Sequence, residues 1–495
     1  MDLERFASLS VYPRSEVEVQ STTYLLARSD KGKVLCILGD VTGFEGERAG
    51  DLFLCPLTLS NAAALRQRLS WLRPQLLGLD KSVGCGDRLG LATPGHIRAV
   101  RGAGTAMAVS PILAQQSMRE NARTGRTPQQ VMDDALWGVF QEGWRQPWGA
   151  DADHLKTTSD VDLCVAAGYT FYTIDPGEHV DNEAHTAPLH VLEDKVHALP
   201  WEALEDSPAG LQRRYLGRRF EAESLILEFD PTTLSRAAAK YGRAIAHTAR
   251  MYHYLVAATA GKPFELEVSV DETATPTSPL EHLFVAGELK RLGVQWVSLA
   301  PRYVGRFEKG VDYIPELPLG TGPASGVSGD LAWFEAELAQ HAAIARTLGP
   351  YKLSIHSGSD KFSVYPLFAR HAGNLVHLKT AGTSYLEALR AIAKVDPSFF
   401  REILTLALER YDHDKATYHV SADPARVPSP DGLADSQLAG VLDLFDGREV
   451  LHVTFGSVLD RFRGRLLATL DTHEEAHYAA LKAHFERHLA PFRQE

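Results

Sequence analysis

Trp148-Gly-Ala-Asp-Ala-Asp-His-Leu-Lys156 is the stretch on which the reading of the fold turns. It gathers Asp151, Asp153, His154 and Lys156 into six residues. A helix pattern precedes it, with Val131, Ala135, Val139 and Phe140 at helical spacing. A fresh helix start, Ser159-Asp-Val-Asp162, follows it. A strand between two helices, ending in ionisable side chains, is the repeating unit of an α/β barrel, and such barrels keep their chemistry at the C-terminal ends of the strands. Neutral imidazole ligates divalent metals, and a neighbouring carboxylate can move protons. An acidic turn with a solvated histidine has the same local look.

Outward from this stretch, short apolar strand patterns alternate with longer helical ones from about residue 80 onward. Strands are expected near Ser82–Gly86, Ala106–Val109, Ala152–Leu155, Thr170–Asp175, Phe264–Val270, Gln295–Leu299, Lys352–His356 and Leu375–Lys379. Eight such strands close a (β/α)8 TIM-like barrel. The chain then divides into an N-terminal lobe (1–75), a metal-binding barrel (76–412) and a C-terminal extension (413–495). An insertion at 180–235, after the fourth strand, is too long for one crossover helix and reads as a lid or subdomain. Ser328-Gly-Asp330 is expected to open an Ala-rich helix running to about Thr347.

With 495 residues, 44% hydrophobic and 23% charged, the chain has ordinary globular composition and needs no disulfide staples. Its four cysteines are scattered, without C-x-x-C spacing, so a Cys-based zinc site is not expected and a reducing compartment is. Met1-Asp-Leu-Glu-Arg5 does not resemble a secretion signal, and no apolar run is long enough to span a membrane, so a cytoplasmic location is expected. The net charge is −12, and no Lys/Arg block carries interleaved aromatics, so neither nucleic acid nor a membrane is an expected partner. Oligomeric state is not read from the sequence.

Alternation sorts the later strands into faces. In Phe264-Glu-Leu-Glu-Val-Ser-Val-Asp271, Leu266, Val268 and Val270 share one side, and Glu265, Glu267, Ser269 and Asp271 share the other. In a barrel the polar side points inward, where glutamates need a cation or a proton; on an edge strand it would simply be solvated. In Tyr351-Lys-Leu-Ser-Ile-His356, Lys352, Ser354 and His356 align, and in the next strand His377 aligns with Lys379. His154, His356 and His377 at or near strand ends suggest a site of two or three imidazoles with a carboxylate, which suits Zn, Mn, Fe, Co or Ni better than Ca. His179 and His452 compete for the same role. Gly84-Cys-Gly-Asp-Arg-Leu-Gly-Leu-Ala-Thr-Pro-Gly-His96 is neither a P-loop nor G-x-G-x-x-G, so no nucleotide site is expected. Its Asp87 and Arg88 are candidates to orient a polyhydroxylated substrate, or else they stiffen a tight turn. Arg302, Lys361 and Lys379, also at strand ends, are candidates to bind a substrate carboxylate or to neutralise a buried one.

These stretches resemble the tagaturonate epimerase family. The pieces that carry the resemblance are Gly86-Asp-Arg-Leu-Gly-Leu-Ala-Thr-Pro-Gly-His96, Phe140-Gln-Glu-Gly-Trp144 with Gly149-Ala-Asp-Ala-Asp-His-Leu-Lys156, Glu267-Val-Ser-Val-Asp-Glu-Thr273 and Ile355-His-Ser-Gly-Ser-Asp-Lys361. The resemblance implies a metal-dependent epimerase of bacterial hexuronate breakdown that interconverts D-tagaturonate and D-fructuronate, with a small sugar acid as its ligand. It implies Asp153 as base, Glu267 as acid, and His154 and His356 as metal ligands, with His377 as the expected third. The two ketohexuronates differ at C4, two bonds from the C2 ketone, so enolisation alone does not reach that carbon. Retro-aldol cleavage of C3–C4, rotation of the aldehyde fragment and re-formation of the bond invert it, with the metal as Lewis acid. A metal-dependent aldose–ketose isomerase on the same barrel, and a sugar-acid binding protein without turnover, are the competing readings.

Overall fold

Eight parallel strands pair into a closed barrel, as the alternation of patterns leads one to expect. In the computed structural model, which describes residues 9–103, 109–316, 331–356 and 360–493, they are β1 (Ser82–Gly84), β2 (Ser110–Ser117), β3 (Gly149–Leu155), β4 (Phe171–Ile174), β5 (Glu265–Ser269), β6 (Ser298–Ala300), β7 (Lys352–Ile355) and β8 (Val376–Lys379). The ring closes where β8 pairs with β1, His377 beside Ser82 and Lys379 beside Gly84.

Two boundaries differ from expectation. The second strand among the described residues runs Ser110–Ser117; the strand expected near Ala106–Val109 falls mostly on residues 104–108, which lie outside the described ones. Its polar Gln115-Gln116-Ser117 end does not look like a strand, because a barrel interior can be lined with polar groups. The sixth strand is Ser298–Ala300 rather than Gln295–Leu299. Ser328 to Asp330 are also outside the described residues; the helix expected there occupies Ala332–Leu348.

Apolar residues on the outward faces, such as Leu266, Val268, Leu353, Ile355 and Leu378, are buried against the surrounding helices. The helices start on side-chain caps: Thr127, Thr157, Asp230 and Ser278 each accept a backbone N–H in the first turn, and Thr127, Asp230 and Ser278 are followed by Pro.

Residues Ser10–Cys55 form a six-stranded antiparallel sheet, including the hairpin Thr22–Ser29 with Gly32–Leu38. The segment after β4 holds the helices Leu189–His197 and Pro208–Tyr215 and the hairpin Arg219–Ala222/Leu225–Glu228. It grips the barrel's outer helices: Arg214 Nε lies 2.9 Å from Glu288, and Arg346 Nη2 lies 2.9 Å from Glu223. These contacts set its two helices and its hairpin beside the barrel wall, while Asn182 at its start accepts the backbone N–H of Ala274 in the loop after β5. The C-terminal helices Phe445–Val453, Phe455–Thr472 and Glu474–Leu489 complete the chain; the last packs on both Thr93–Gly102 and Thr383–Val395. No helix among the described residues is long and apolar enough to cross a membrane.

Several imidazoles are built into this interior as neutral groups. Burial lowers His96, His341 and His477 from 6.5 to about 4. The same cause takes His377 and His488 to about 3. Between those values and 6.5 the unfolded chain binds protons that the folded chain refuses, so stability falls as pH falls. Asp134 and Asp151, pushed up to about 6, and Glu449, pushed up to about 8, act in the opposite sense but are fewer. The thermal midpoint, followed by circular dichroism, is therefore expected to drop steeply from pH 6.5 to pH 4; a flat or rising profile in that window would contradict the neutral histidines.

Candidate active site and metal centre

The bulge in β3 comes first, because it sets two adjacent side chains into one space. Asp153 lies opposite Ser117 of β2, while on the other side Ala152 pairs with Tyr172 and Leu155 with Ile174. Three steps on β3 therefore span two on β4, so the strand carries one extra residue. His154 absorbs it at φ +55°, a left-handed conformation uncommon for a residue with a Cβ. Regular alternation would turn Asp153 and His154 to opposite faces. Here His154 Nδ1 instead meets Asp153 Oδ1 at 2.8 Å.

β5, β7 and β8 bring the partners. Glu267 and Asp271, four residues apart on the inward side, flank His356 from the end of β7. His356 Nε2 lies 2.6 Å from Glu267 Oε1, and its Nδ1 lies 3.1 Å from Asp271 Oδ1. His154 Nε2 faces the same Asp271 oxygen at 3.9 Å, and the two imidazole centroids are 4.9 Å apart. From β8, Lys379 Nζ reaches Asp153 at 2.7 Å, Glu267 at 2.8 Å, Asp151 at 2.9 Å and Thr173 Oγ1 at 2.6 Å.

This interior holds four carboxylates: Asp151, Asp153 and Glu267 surround the Lys379 ammonium, and Asp271 faces the two imidazoles. Burial opposes ionisation of Asp153, but His154 and Lys379 outweigh it and hold the carboxyl well below its usual range. Lys379 and His356 do the same for Glu267, and His356 and His154 for Asp271. Asp151 yields instead, pushed up to about 6 by burial. Burial opposes protonation of the imidazoles, yet Asp153 raises His154 well above 6.5 and Asp271 raises His356. The excess negative charge thus favours the protonated form of both histidines.

A divalent cation fits the same demand. His154 Nε2 is buried without a hydrogen bond among the described residues, and His154, Asp271 and His356 each offer a ligand atom within 4.8 Å of the others. Their other polar atoms are oriented by carboxylates, His154 by Asp153 and His356 by Glu267, the usual outer-shell arrangement for ligating imidazoles. Asp360, His484 and His488 also converge. There Arg448 Nη2 already sits 2.7 Å from Asp360, so a cation is in place. That cluster ties the loop after β7 to the last helix.

Of the residues expected from sequence, Asp153, His154, Glu267, His356 and Lys379 meet in this space. His377 lies on the inward face two residues before Lys379; its Nδ1 pairs with Ser82 Oγ at 2.9 Å, and its buried Nε2 has no hydrogen-bond partner among the described residues. Asp87 accepts the backbone N–H groups of Leu89, Gly90 and Ala92. Arg88 pairs with Glu120 and contacts His452. Arg302 donates to the carbonyls of Tyr303 and Gly305, and Lys361 to that of Glu308. His179 is exposed and stacks on His247. Asp271 received no role from sequence, although the alternation that sends Glu267 inward sends it inward too.

A family model for tagaturonate epimerase matches residues 12–492. The tagaturonate/fructuronate epimerase of Thermotoga maritima is 43% identical over 488 residues, covering 97% of this chain and 96% of its own. Two crystal structures of the fructuronate-tagaturonate epimerase UxaE from Cohnella laeviribosi, native and complexed with one glycerol, are 38% identical at a TM-score of 0.91 and cover 99% of this chain and 98% of theirs. The resemblance first carried by residues 86–361 thus extends from the N-terminal sheet to the last helix, and the chain belongs to the tagaturonate epimerase family.

Proposed function

We propose that this chain interconverts D-tagaturonate and D-fructuronate by inverting C4, at a divalent-metal site made by His154, Asp271 and His356. The observation that carries the reading is the convergence of an unpartnered imidazole nitrogen, a second imidazole and a carboxylate beside Lys379, in a member of this family. When bound, the ion supplies Lewis acidity to the ketone end of the substrate.

The chain's own groups manage protons and geometry. Asp153 is ionised and accepts the C4 hydroxyl proton as C3–C4 breaks, which leaves an aldehyde at C4. The aldehyde turns its other face, the C–C bond re-forms, and Glu267 returns a proton to the C4 oxygen. Lys379 touches both carboxylates, so one of its protons passes to Glu267 as it takes the proton held by Asp153. The C4 hydrogen stays on carbon throughout.

Three outcomes follow from this arrangement. Treatment with a chelator should abolish turnover of D-fructuronate, followed by NMR, and one metal ion per chain should restore it. Alanine at 154, 271 or 356 should lower that stoichiometry, whereas His377→Asn should keep one ion per chain; loss of the ion in the latter variant would put the third ligand at His377 instead.

Substrate deuterated at C4 should yield product that retains the label. Exchange into solvent would rule out cleavage and re-formation of C3–C4 as the route. Retention together with trapped cleavage fragments would separate it from a hydride shift.

Lys379→Met should reduce kcat by about 10²–10⁴-fold, the usual range for a proton-transfer group. It should also cost about 3–5 kcal/mol of stability near neutral pH, as removal of one partner from a buried ion cluster does. The carboxylates left behind are pushed up by burial, so the folded variant takes up protons more readily than the unfolded chain. The stability loss, read by denaturant titration, should therefore shrink toward pH 5; equal loss at pH 5 and pH 8 would mean Lys379 does not carry their charge.

A further inference from the structure

Two buried donors at the β8–β1 side of the mouth have no acceptor among the described residues. Arg88, in the loop after β1, lies with its guanidinium 3.8 Å from the Phe455 ring centroid. Its Nε donates to Glu120 Oε1 at 2.9 Å, Nη2 turns to the same oxygen, and Nη2 also lies 3.3 Å from His452 Nε2. Arginine can only donate, so His452 Nε2 is the accepting lone pair. Burial, with Arg88 and Lys309, holds His452 well below 6.5, so the ring is neutral and its single proton sits on Nδ1. That Nδ1–H and Arg88 Nη1 are both buried, and neither has a hydrogen-bond partner among the described residues. A buried donor left unmet costs about 1–3 kcal/mol.

Both groups border the same glycine. A Cβ on Gly382, three residues past Lys379, would clash with His452 Cε1 and lie 3.0 Å from its Nδ1 and 3.1 Å from Arg88 Nη2, the nitrogen that Glu120 and His452 already engage. Gly310, from the loop after β6, approaches the same nitrogen, its Cβ position 3.0 Å away. Both glycines have positive φ, +93° and +77°. Side chains at these positions would crowd the Nδ1 edge of the ring. His452 belongs to the helix Phe445–Val453 and is fully buried, so a residue from beyond the barrel reaches the barrel mouth.

We infer that His452 Nδ1–H and Arg88 Nη1–H are the donors that hold the substrate's C6 carboxylate, making His452 a specificity-determining residue supplied by the C-terminal extension. This rests on the ketohexuronate reading above. The carboxylate end is the part of the substrate that must stay put after C3–C4 breaks. With it anchored, the aldehyde turns about C4–C5 and is not lost. Glu120 Oε2, also buried and unpartnered, is placed to accept a hydroxyl of the same fragment.

Glutamine and asparagine at 452 separate this role from a structural one. Glutamine keeps a polar atom near the position of Nε2, where Arg88 is seated, and loses the Nδ1 donor; asparagine keeps a donor near Nδ1. Affinities for D-fructuronate and for D-fructose, which lacks the carboxylate, are measured calorimetrically on metal-loaded protein. His452→Gln should weaken fructuronate binding by about tenfold or more, roughly 1.4 kcal/mol, and leave fructose within about twofold. His452→Asn should recover most of that loss. Unchanged fructuronate affinity in His452→Gln, equal weakening of both sugars, or recovery by glutamine instead of asparagine would each overturn the inference. If His452→Gln does not fold, Arg88→Lys, which keeps the charge and loses Nη1, should show the same selective loss for fructuronate. Product analysis of the wild-type protein with D-fructuronate tests the underlying epimerase reading separately.

Discussion

The ammonium of Lys379 inside the barrel is the contact on which the site depends. It lies within 2.9 Å of Asp151, Asp153 and Glu267, all buried. Three carboxylates at that spacing repel one another strongly in a medium of low polarity. One cation does not neutralise three anions, so burial pushes Asp151 up to about 6 and the carboxylates raise both His154 and His356 above the usual imidazole value. The barrel therefore stores a standing demand for positive charge where the strands end. In the mechanism proposed above, that demand is what a divalent cation would meet, with Asp153 kept ionised beside it.

Much of this was legible because strand alternation acts on charge. Glu267 and Lys379 are found by asking which face of an apolar strand carries ionisable groups, since the other face has to pack on helices. The same rule puts Asp271 inward, where it joins His154 and His356 in the proposed site, whereas the family resemblance implies a third histidine, His377. Depth favours Asp271: His377 stands two residues before Lys379, about 6.6 Å lower in the barrel, and meets Ser82 there. The bulge at His154 was not legible. Whether two adjacent residues share a face depends on pairing with β2 and β4, which local sequence does not encode. The second strand was missed for a related reason, since Gln115 and Gln116 give no hydrophobic signal.

The parts outside the barrel are tied to the loops that carry the site. Asp360, four residues beyond His356, is held by Arg448 at 2.7 Å and also contacts His484 of the last helix. His452 reaches Arg88 in the loop after β1. The C-terminal helices thus brace the β7 and β1 loops from the same side, whereas the helices and hairpin inserted after β4 grip the outer wall. Loops need such ties to hold a ligand set within a few tenths of an ångström, and β-strands only three to eight residues long do not supply them alone.

Anomalous diffraction from crystals of the protein loaded with a transition metal tests the central claim most directly. The account predicts one strong peak per chain, bounded by His154 Nε2, Asp271 Oδ1 and His356 Nδ1, with Lys379 still seated among its carboxylates. A peak at Asp360, His484 and His488 alone, or one ligated by His377, would contradict it.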